Sequence, residues 1–451
     1  MKRVIILITI FTISASLFAQ PKLLAPVDPA IMGRGFTAVA DPGGYQAFFH
    51  NPAGFAKEDQ FTLLSLNPWI FTDKDTIEIL QNPKATADNL ETQFTDSAEN
   101  PDIEAEIQAW FDKKTTEELA AILNDAGYTQ QDIYEAGGVD AFFASLTQEE
   151  LISLAGIVLE DPTFPVDKEK LNLPSGAARV GTSAGIAFTS GGFAIGAFGI
   201  VDAQLEGPNI LAAEGRATAQ ITLHAGYAHT FDLNLIKLRT GLQVRPTILY
   251  NVNVDSSFLP EIMNGGAQIV DYLLNKEGVA SFGLGVDAGV IVDIWWFNFG
   301  VSAMNLLSYM NEQPASLNDI KDNPSMLFPE TEPAFKENLA LNFGVGFHPQ
   351  FGPLSALLDP AIYVDFQDIN GVIEAAGAGD DKALLDMIKI GADVKLLSFL
   401  RAKAGFADGY FTLGAGLDLP LINVSVAANF GALQVDDISD FGVTAEVAFR
   451  F

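Results

Sequence analysis

Cysteine is absent from the sequence, and only four of its 451 residues are histidine. The first absence removes disulfides, thiolate metal sites, a cysteine nucleophile and a lipid anchor on cysteine. Of the histidines, His224 and His229 lie five apart in one expected strand and so face opposite ways. With His50 and His348 they give neither a Ser-His-acid set nor a metal-ligand spacing. No catalytic residue, metal site or cofactor is therefore expected. Basic residues are also scarce, 25 Lys and Arg against 57 Asp and Glu, a formal charge of -32 that would repel a nucleic acid. Long apolar runs are missing as well. Past residue 19 no eighteen consecutive apolar residues occur, and the best stretch, 279–307, is broken by Asp287 and Asp293.

What the chain has instead is 49% hydrophobic residues, only 18% charged ones, 40 Gly and 34 Phe. So apolar a chain without spanning helices points to strands that turn alternate side chains toward lipid. The first residues read as an export signal, 1–19. Lys2 and Arg3 precede the apolar run 4–13 and a small-residue stretch ending at Ala19. That run is shorter than the ~20 residues a spanning helix needs.

Two-residue alternation is clearest in the C-terminal half. In the last strand Phe441, Val443, Ala445, Val447, Phe449 and Phe451 share one face, with Gly442, Thr444, Glu446, Ala448 and Arg450 on the other. Leu238, Leu242 and Val244 oppose Arg239, Gln243 and Arg245 in the same way. A soluble sandwich alternates too, but its strands cluster near ~5–6 residues. Here many reach ten, their polar face is rich in Gly, Asn, Ser and Thr, and aromatics gather near strand ends.

The pattern predicts an all-β transmembrane barrel of about fourteen antiparallel strands over 61–451. The strands are 61–71, 178–188, 191–202, 216–230, 236–252, 279–293, 294–306, 336–349, 360–369, 386–396, 399–407, 409–418, 421–430 and 441–451. Linkers alternate between short and long, as periplasmic turns and outer loops do; the turn Asp408-Gly409 and the proline-rich 349–359 break the alternation. The longest linker, 72–177, reads as an acidic helical insert, with Ser/Thr-plus-Glu helix starts at 115–118 and 147–150. It is expected outside the cell, as a solvated cap, a lid or a partner surface.

Between signal and first strand stand Ile31, Met32, Gly33, Arg34, Gly35 and Phe36, the step Ala38-Val39-Ala40-Asp41, and then Phe48, Phe49, His50, Asn51, Pro52, Ala53 and Gly54. Asn-Pro-Ala-Gly is a turn former. Pro52 fixes φ, Gly54 permits a left-handed residue, and the Asn51 amide can satisfy nearby backbone. Irregular backbone at membrane depth is tolerated only inside a barrel. The Gly-rich start, the "AVAD" step and "NPAG" resemble the N-terminal hatch of the FadL family, outer-membrane transporters of long-chain fatty acids and other hydrophobic compounds. PorV-type outer-membrane proteins share this opening.

The FadL resemblance implies a fourteen-stranded barrel in the outer membrane of a diderm bacterium. Residues 20–60 would be a hatch, with Phe49, His50, Asn51, Pro52, Ala53 and Gly54 displaced to admit a hydrophobic ligand. A kink at Gly196 and Gly199 of the third strand would open a lateral gap. The terminal Phe449 and Phe451 resemble the signal read by the machinery that inserts such barrels. Alternation turns Arg179, Arg239, Arg245, Lys389 and Lys395 inward, where they are candidates to hold a ligand carboxylate. Lumenal salt bridges with Asp365 or Asp393 are the other reading. Two further functions stay open: a PorV-like docking barrel with the insert as contact surface, and an outer-membrane phospholipase.

Overall fold

Fourteen alternating segments close on themselves in the computed structural model, which describes residues 23–73, 177–206, 214–254, 274–328, 337–377, 387–431 and 441–451, with positions 113 and 385. The strands are β1 Gln60–Thr72, β2 Ala178–Ser190, β3 Phe193–Glu206, β4 Glu214–Asp232, β5 Ile236–Val254, β6 Gly278–Ile294 and β7 Phe297–Ala315. They continue as β8 Ala340–Phe347, β9 Leu358–Phe366, β10 Ile388–Leu396, β11 Leu400–Ala407, β12 Tyr410–Asp418, β13 Ile422–Gly431 and β14 Phe441–Arg450. Each pairs antiparallel with its sequence neighbours, and β1 meets β14 to complete a closed barrel. At that seam Phe61 and Phe451 exchange both backbone hydrogen bonds, at 3.0 and 2.9 Å.

The barrel is inside-out relative to a soluble protein. Leu66, Ile186, Ile195, Leu223, Leu242, Leu413 and Val426 are exposed on its outside, whereas Ser65, Asn67, Gln220, Gln243, Asp287, Thr412 and Glu446 are buried within. Alternation dictates this, because the pleat sends successive side chains to opposite faces. It also places His224 inside and His229 outside, as expected. The eight to ten residues of β8–β14 nearly match the ~9–11 that cross a bilayer at a tilt. β4, β5 and β7 have 19 residues each and form a taller wall on one side.

The turns at 191–192, 233–235, 295–296, 348–357, 397–399 and 419–421 lie at one end, with the start of β1 and the finish of β14. Residues 348–357 thus obey the alternation of ends despite their length, containing a 3-10 turn, Gly352–Ala356. Asp408-Gly409 is a tight turn at the opposite end, both residues with positive φ, as a two-residue hairpin of primed type requires.

Several boundaries differ from expectation, β3 among them, which runs to Glu206 rather than 202. β7 runs nine residues further than 306, because a bulge between Val286 and Ala288, with Asn305 at φ 58°, interrupts the alternation. Leu306 and Leu307 are consequently both exposed. β8 is confined to Ala340–Phe347. The segment expected to end β9 at 369 leaves the sheet at Phe366 and enters a helix, Ile369–Gly377, with the Asp368 carboxylate accepting from the Gly371 N–H at 3.3 Å. The signal 1–19 and nearly all of the insert lie outside the described residues. The base of the insert is closed by an Asp73 N–H donating to the Ala177 carbonyl at 3.3 Å.

Candidate functional site

Residues 23–59 fill the lumen with short turns of helix. These are Pro29–Met32, the 3-10 turn Gly44–Gln46, Ala47–His50 and the 3-10 turn Pro52–Ala56. Phe48, Asn51, Pro52, Ala53, Gly54 and Phe55 are fully buried, while Phe49 and His50 are partly so. Asn51 is the knot of this plug. Its Oδ1 accepts from the Ala53 N–H at 3.1 Å, and its Nδ2 reaches the Val39 carbonyl at 2.8 Å and those of Val290 and Val301 at 3.3 Å. One amide thus caps its own turn and ties it to β6 and β7. Gly54 is not left-handed, contrary to expectation. It is needed because a Cβ there would meet Pro42 Cγ at 2.7 Å and Ala47 Cβ at 2.9 Å.

The barrel wall is bare where the plug backbone leans on it. A Cβ at Gly241 would strike Pro52, one at Gly289 would strike Asn51, and one at Gly300 would strike the Val39 carbonyl. Gly391 and Gly405 likewise clear room for Arg34 and Gly35. Gly241 pairs with Gly289, Gly300 with Gly344 and Gly391 with Gly405, so the bare track crosses neighbouring strands in register. Beside Gly344 the Asp365 carboxylate accepts from the Ala38 and Val39 N–H groups at 2.6 and 2.9 Å.

Polarity inside the lumen is split. Near the short-turn end, Phe48 and Phe55 pack with Tyr45, Ala187, Ala194, Phe198 and Ala228. Phe48, Phe49 and Phe198 set their rings around His224, at centroid distances of 5.2, 5.1 and 5.5 Å. Toward the long-loop end, Val27, Met32, Trp69, Phe71 and Ile200 form an apolar patch, with Leu24 and Phe36 against it. Leu249 and Met310 form a separate small cluster around Leu23. The Gln220 amide holds Leu24 as a strand would, accepting from its N–H at 2.8 Å and donating to its carbonyl at 2.9 Å.

Under the plug, on the β9–β14 side, a cavity of about 360 Å³ is lined by charge. Lys403 and Arg401 bind Asp393 at 2.8 and 3.2 Å, Arg401 and Lys395 bind Asp418 at 2.6 and 3.5 Å, and Arg450 pairs with Glu446. Asp28 caps the helix Pro29–Met32 and accepts from the Tyr45 hydroxyl at 2.6 Å and from the Gln46 amide. Burial first, then the Asp28 and Glu446 carboxylates, raise the Tyr45 phenol well above its ordinary range, so it stays protonated as a donor. Burial, and next the Arg34 guanidinium, push the His50 imidazole down to about 4, so it is neutral in the plug.

The five expected carboxylate binders are not brought together. Each is in an ion pair: Arg179 with Asp202 at 2.8 Å, Arg239 with Asp293, Arg245 with Asp287 at 3.5 Å, Lys389 with Asp408, and Lys395 with Asp418. The expected partners Asp365 and Asp393 serve other groups, because lumenal neighbours across adjacent strands set the pairing. Arg179 alone borders the apolar patch, 5.9 Å from the Phe71 ring centre, with Trp69 Nε1 donating to the same Asp202 at 2.9 Å.

No register break marks the expected lateral-opening residues Gly196 and Gly199. β3 keeps unbroken register with β2 and β4 from Phe193 onward. Gly196 faces Phe48 of the plug, and Gly199 has nothing within 4 Å of where a Cβ would stand. Register breaks instead in β1 and between β6 and β7. Phe449 and Phe451 are exposed at the seam, with Phe451 stacked on Phe61 at 6.0 Å.

No family model matches the sequence, and no curated protein matches it. Among solved structures it is similar to the toluene transporter TodX of Pseudomonas putida, with 11% identity and a TM-score of 0.41 over 95% of this chain and 99% of that one. It is similar also to the toluene transporter TbuX of Ralstonia pickettii, with 11% identity and a TM-score of 0.42 over 94% and 98%. The monoaromatic hydrocarbon channel CymD gives 11% identity and a TM-score of 0.43 over 95% and 98%. The likeness is one of backbone architecture. Sequence reasoning missed Asp28, Arg34, Trp69 and Gln220. Arg34 stood inside the quoted motif, and a buried charge between two glycines was the available signal.

Proposed function

We propose that the protein is an outer-membrane channel of a diderm bacterium through which hydrophobic small molecules, long-chain fatty acids foremost, pass without catalysis. The observation that carries this reading is the apolar lining at the long-loop end of the lumen, where the plug residues Leu24 and Val27 meet Trp69, Phe71 and Ile200 and where Leu249 and Met310 surround Leu23. A passage for water and ions needs no such surface at its mouth. An apolar solute that crosses the outer leaflet poorly gains a dry resting place there. Arg179 at its edge can receive a carboxylate head by exchanging Asp202. Below the plug the lining turns charged, which disfavours an apolar tail, so release sideways into the bilayer suits such a cargo better than axial passage.

With the short turns in the periplasm, the patch and the insert face outward. Uptake of labelled oleate by cells with and without the protein, together with quenching of Trp69 fluorescence by oleate in purified barrel, tests the reading. Uptake that does not change on deletion, with no quenching, overturns it.

A further inference from the structure

Every basic residue lining the inner cavity except one has a carboxylate within 4.0 Å among the described residues: Lys57 with Asp41, Lys395, Arg401, Lys403 and Arg450 as above. The exception is Arg34. It is 5% exposed and sits on the plug, opposite Gly391 and Gly405. One of its terminal nitrogens donates to the Asp41 backbone carbonyl at 2.7 Å, and the Tyr363 ring covers its face at 4.5 Å. Its Nε has no acceptor. The Asp41 carboxylate is already taken, by Lys57 and by the Tyr363 hydroxyl at 3.0 Å.

The neighbouring acids are occupied too. Asp28 receives two backbone N–H groups, the Tyr45 hydroxyl and the Gln46 amide, and Glu446 receives Arg450, Ser65 and Tyr45. Glu58 accepts from the Gly44 N–H at 2.8 Å.

A guanidinium cannot shed its proton to escape burial, and Arg34 has acids such as Asp365 and Asp393 only at longer range, so an anion in direct contact would stabilise it. We infer that Arg34, with Tyr363 as a shelf, is a binding site for a small carboxylate anion that enters the cavity from the short-turn end. The planar fork of the guanidinium matches a carboxylate edge to edge, and with the Tyr363 ring on one face the anion is left the edge of the fork that lines the cavity. The volume of about 360 Å³ falls in the ~300–1,000 Å³ range of small-ligand sites. Arg34 is not part of the apolar patch, so an anion bound beside it does not depend on which molecule crosses the barrel.

Two measurements on the full-length barrel in detergent test it. Crystals of the wild type soaked in 2-bromopropionate should show anomalous bromine density beside Arg34, and density elsewhere or nowhere overturns the site. Titration with [1-13C]butyrate should shift the carboxyl resonance saturably. Arg34→Gln should weaken that binding at least about tenfold, the loss of a charge-assisted hydrogen-bond pair, and Arg34→Lys by less. Unchanged butyrate affinity in Arg34→Gln, in a variant whose heat-modifiable gel mobility shows a closed barrel, refutes the assignment. The bromine measurement needs no variant and stands if Arg34→Gln unseats the plug.

Discussion

Single residues decide how the plug is held. Asn51 serves four backbone groups with one amide, so Asn51→Ala removes a cap and two ties to the wall. A cap alone is worth about 0.5–2 kcal/mol. Hydrogen exchange of residues 39–56 should speed up accordingly while the strands keep their protection. Gly289→Val acts from the wall side, because its side chain would occupy the place of the Asn51 amide. It should raise ion conductance in planar bilayers several-fold without unfolding the barrel.

His50 supplies the pH dependence. Seated, it titrates at about 4 against 6.5 in the unfolded segment. Between those values the unfolded segment binds a proton that the seated one refuses. The plug is therefore fully stable above about pH 6.5 and weakens as pH falls toward 4. His348, also pushed down to about 4, contributes in the same direction. Protease release of the plug across this range should flatten in part, not wholly, in His50→Asn.

At the scale of elements, most of the barrel was legible because its strands obey a period of two. Leu413 and Thr412 are neighbours in sequence, yet one is 54% exposed and the other 1%. Leu413→Arg should cost about 2–4 kcal/mol of membrane stability in urea titrations from lipid vesicles. Thr412→Ala should mainly loosen the plug, since its hydroxyl accepts from the Gly35 N–H at 3.0 Å. What alternation could not announce is where it lapses. The bulge at Val286 and the extra length of β7 are features of pairing between strands, which a local pattern does not contain, and the helix after Phe366 begins at a local cap on Asp368. The candidate site was less legible for the same reason. Alternation turned Arg179, Arg239 and Arg245 inward correctly, but inwardness does not name a partner. Asp202, Asp293 and Asp287 were chosen by register. The glycines at 241, 289 and 300 make sense only once the plug backbone lies against them.

On the scale of the molecule, the lumen is uneven: apolar around Trp69 and Leu249 at the long-loop end, and at the other end aromatic around His224 and charged on the β9–β14 side. Placing a charge in the upper part should therefore strike binding alone. Leu249→Glu should reduce oleate binding at least about tenfold, more than one buried apolar side chain being forfeited, with Arg34-site binding of butyrate unchanged. The tall wall of β4–β7 beside the low one of β8–β14 gives the barrel a slanted rim.

The bonds between Phe61 and Phe451 join residues 390 positions apart. A ring whose last link is also its last strand has no closed intermediate. Until β14 arrives, β1 and β13 are raw edges able to pair with any strand at hand. Closure therefore waits on an encounter between strands some 390 residues apart, and its rate is governed by that span rather than by any local hairpin.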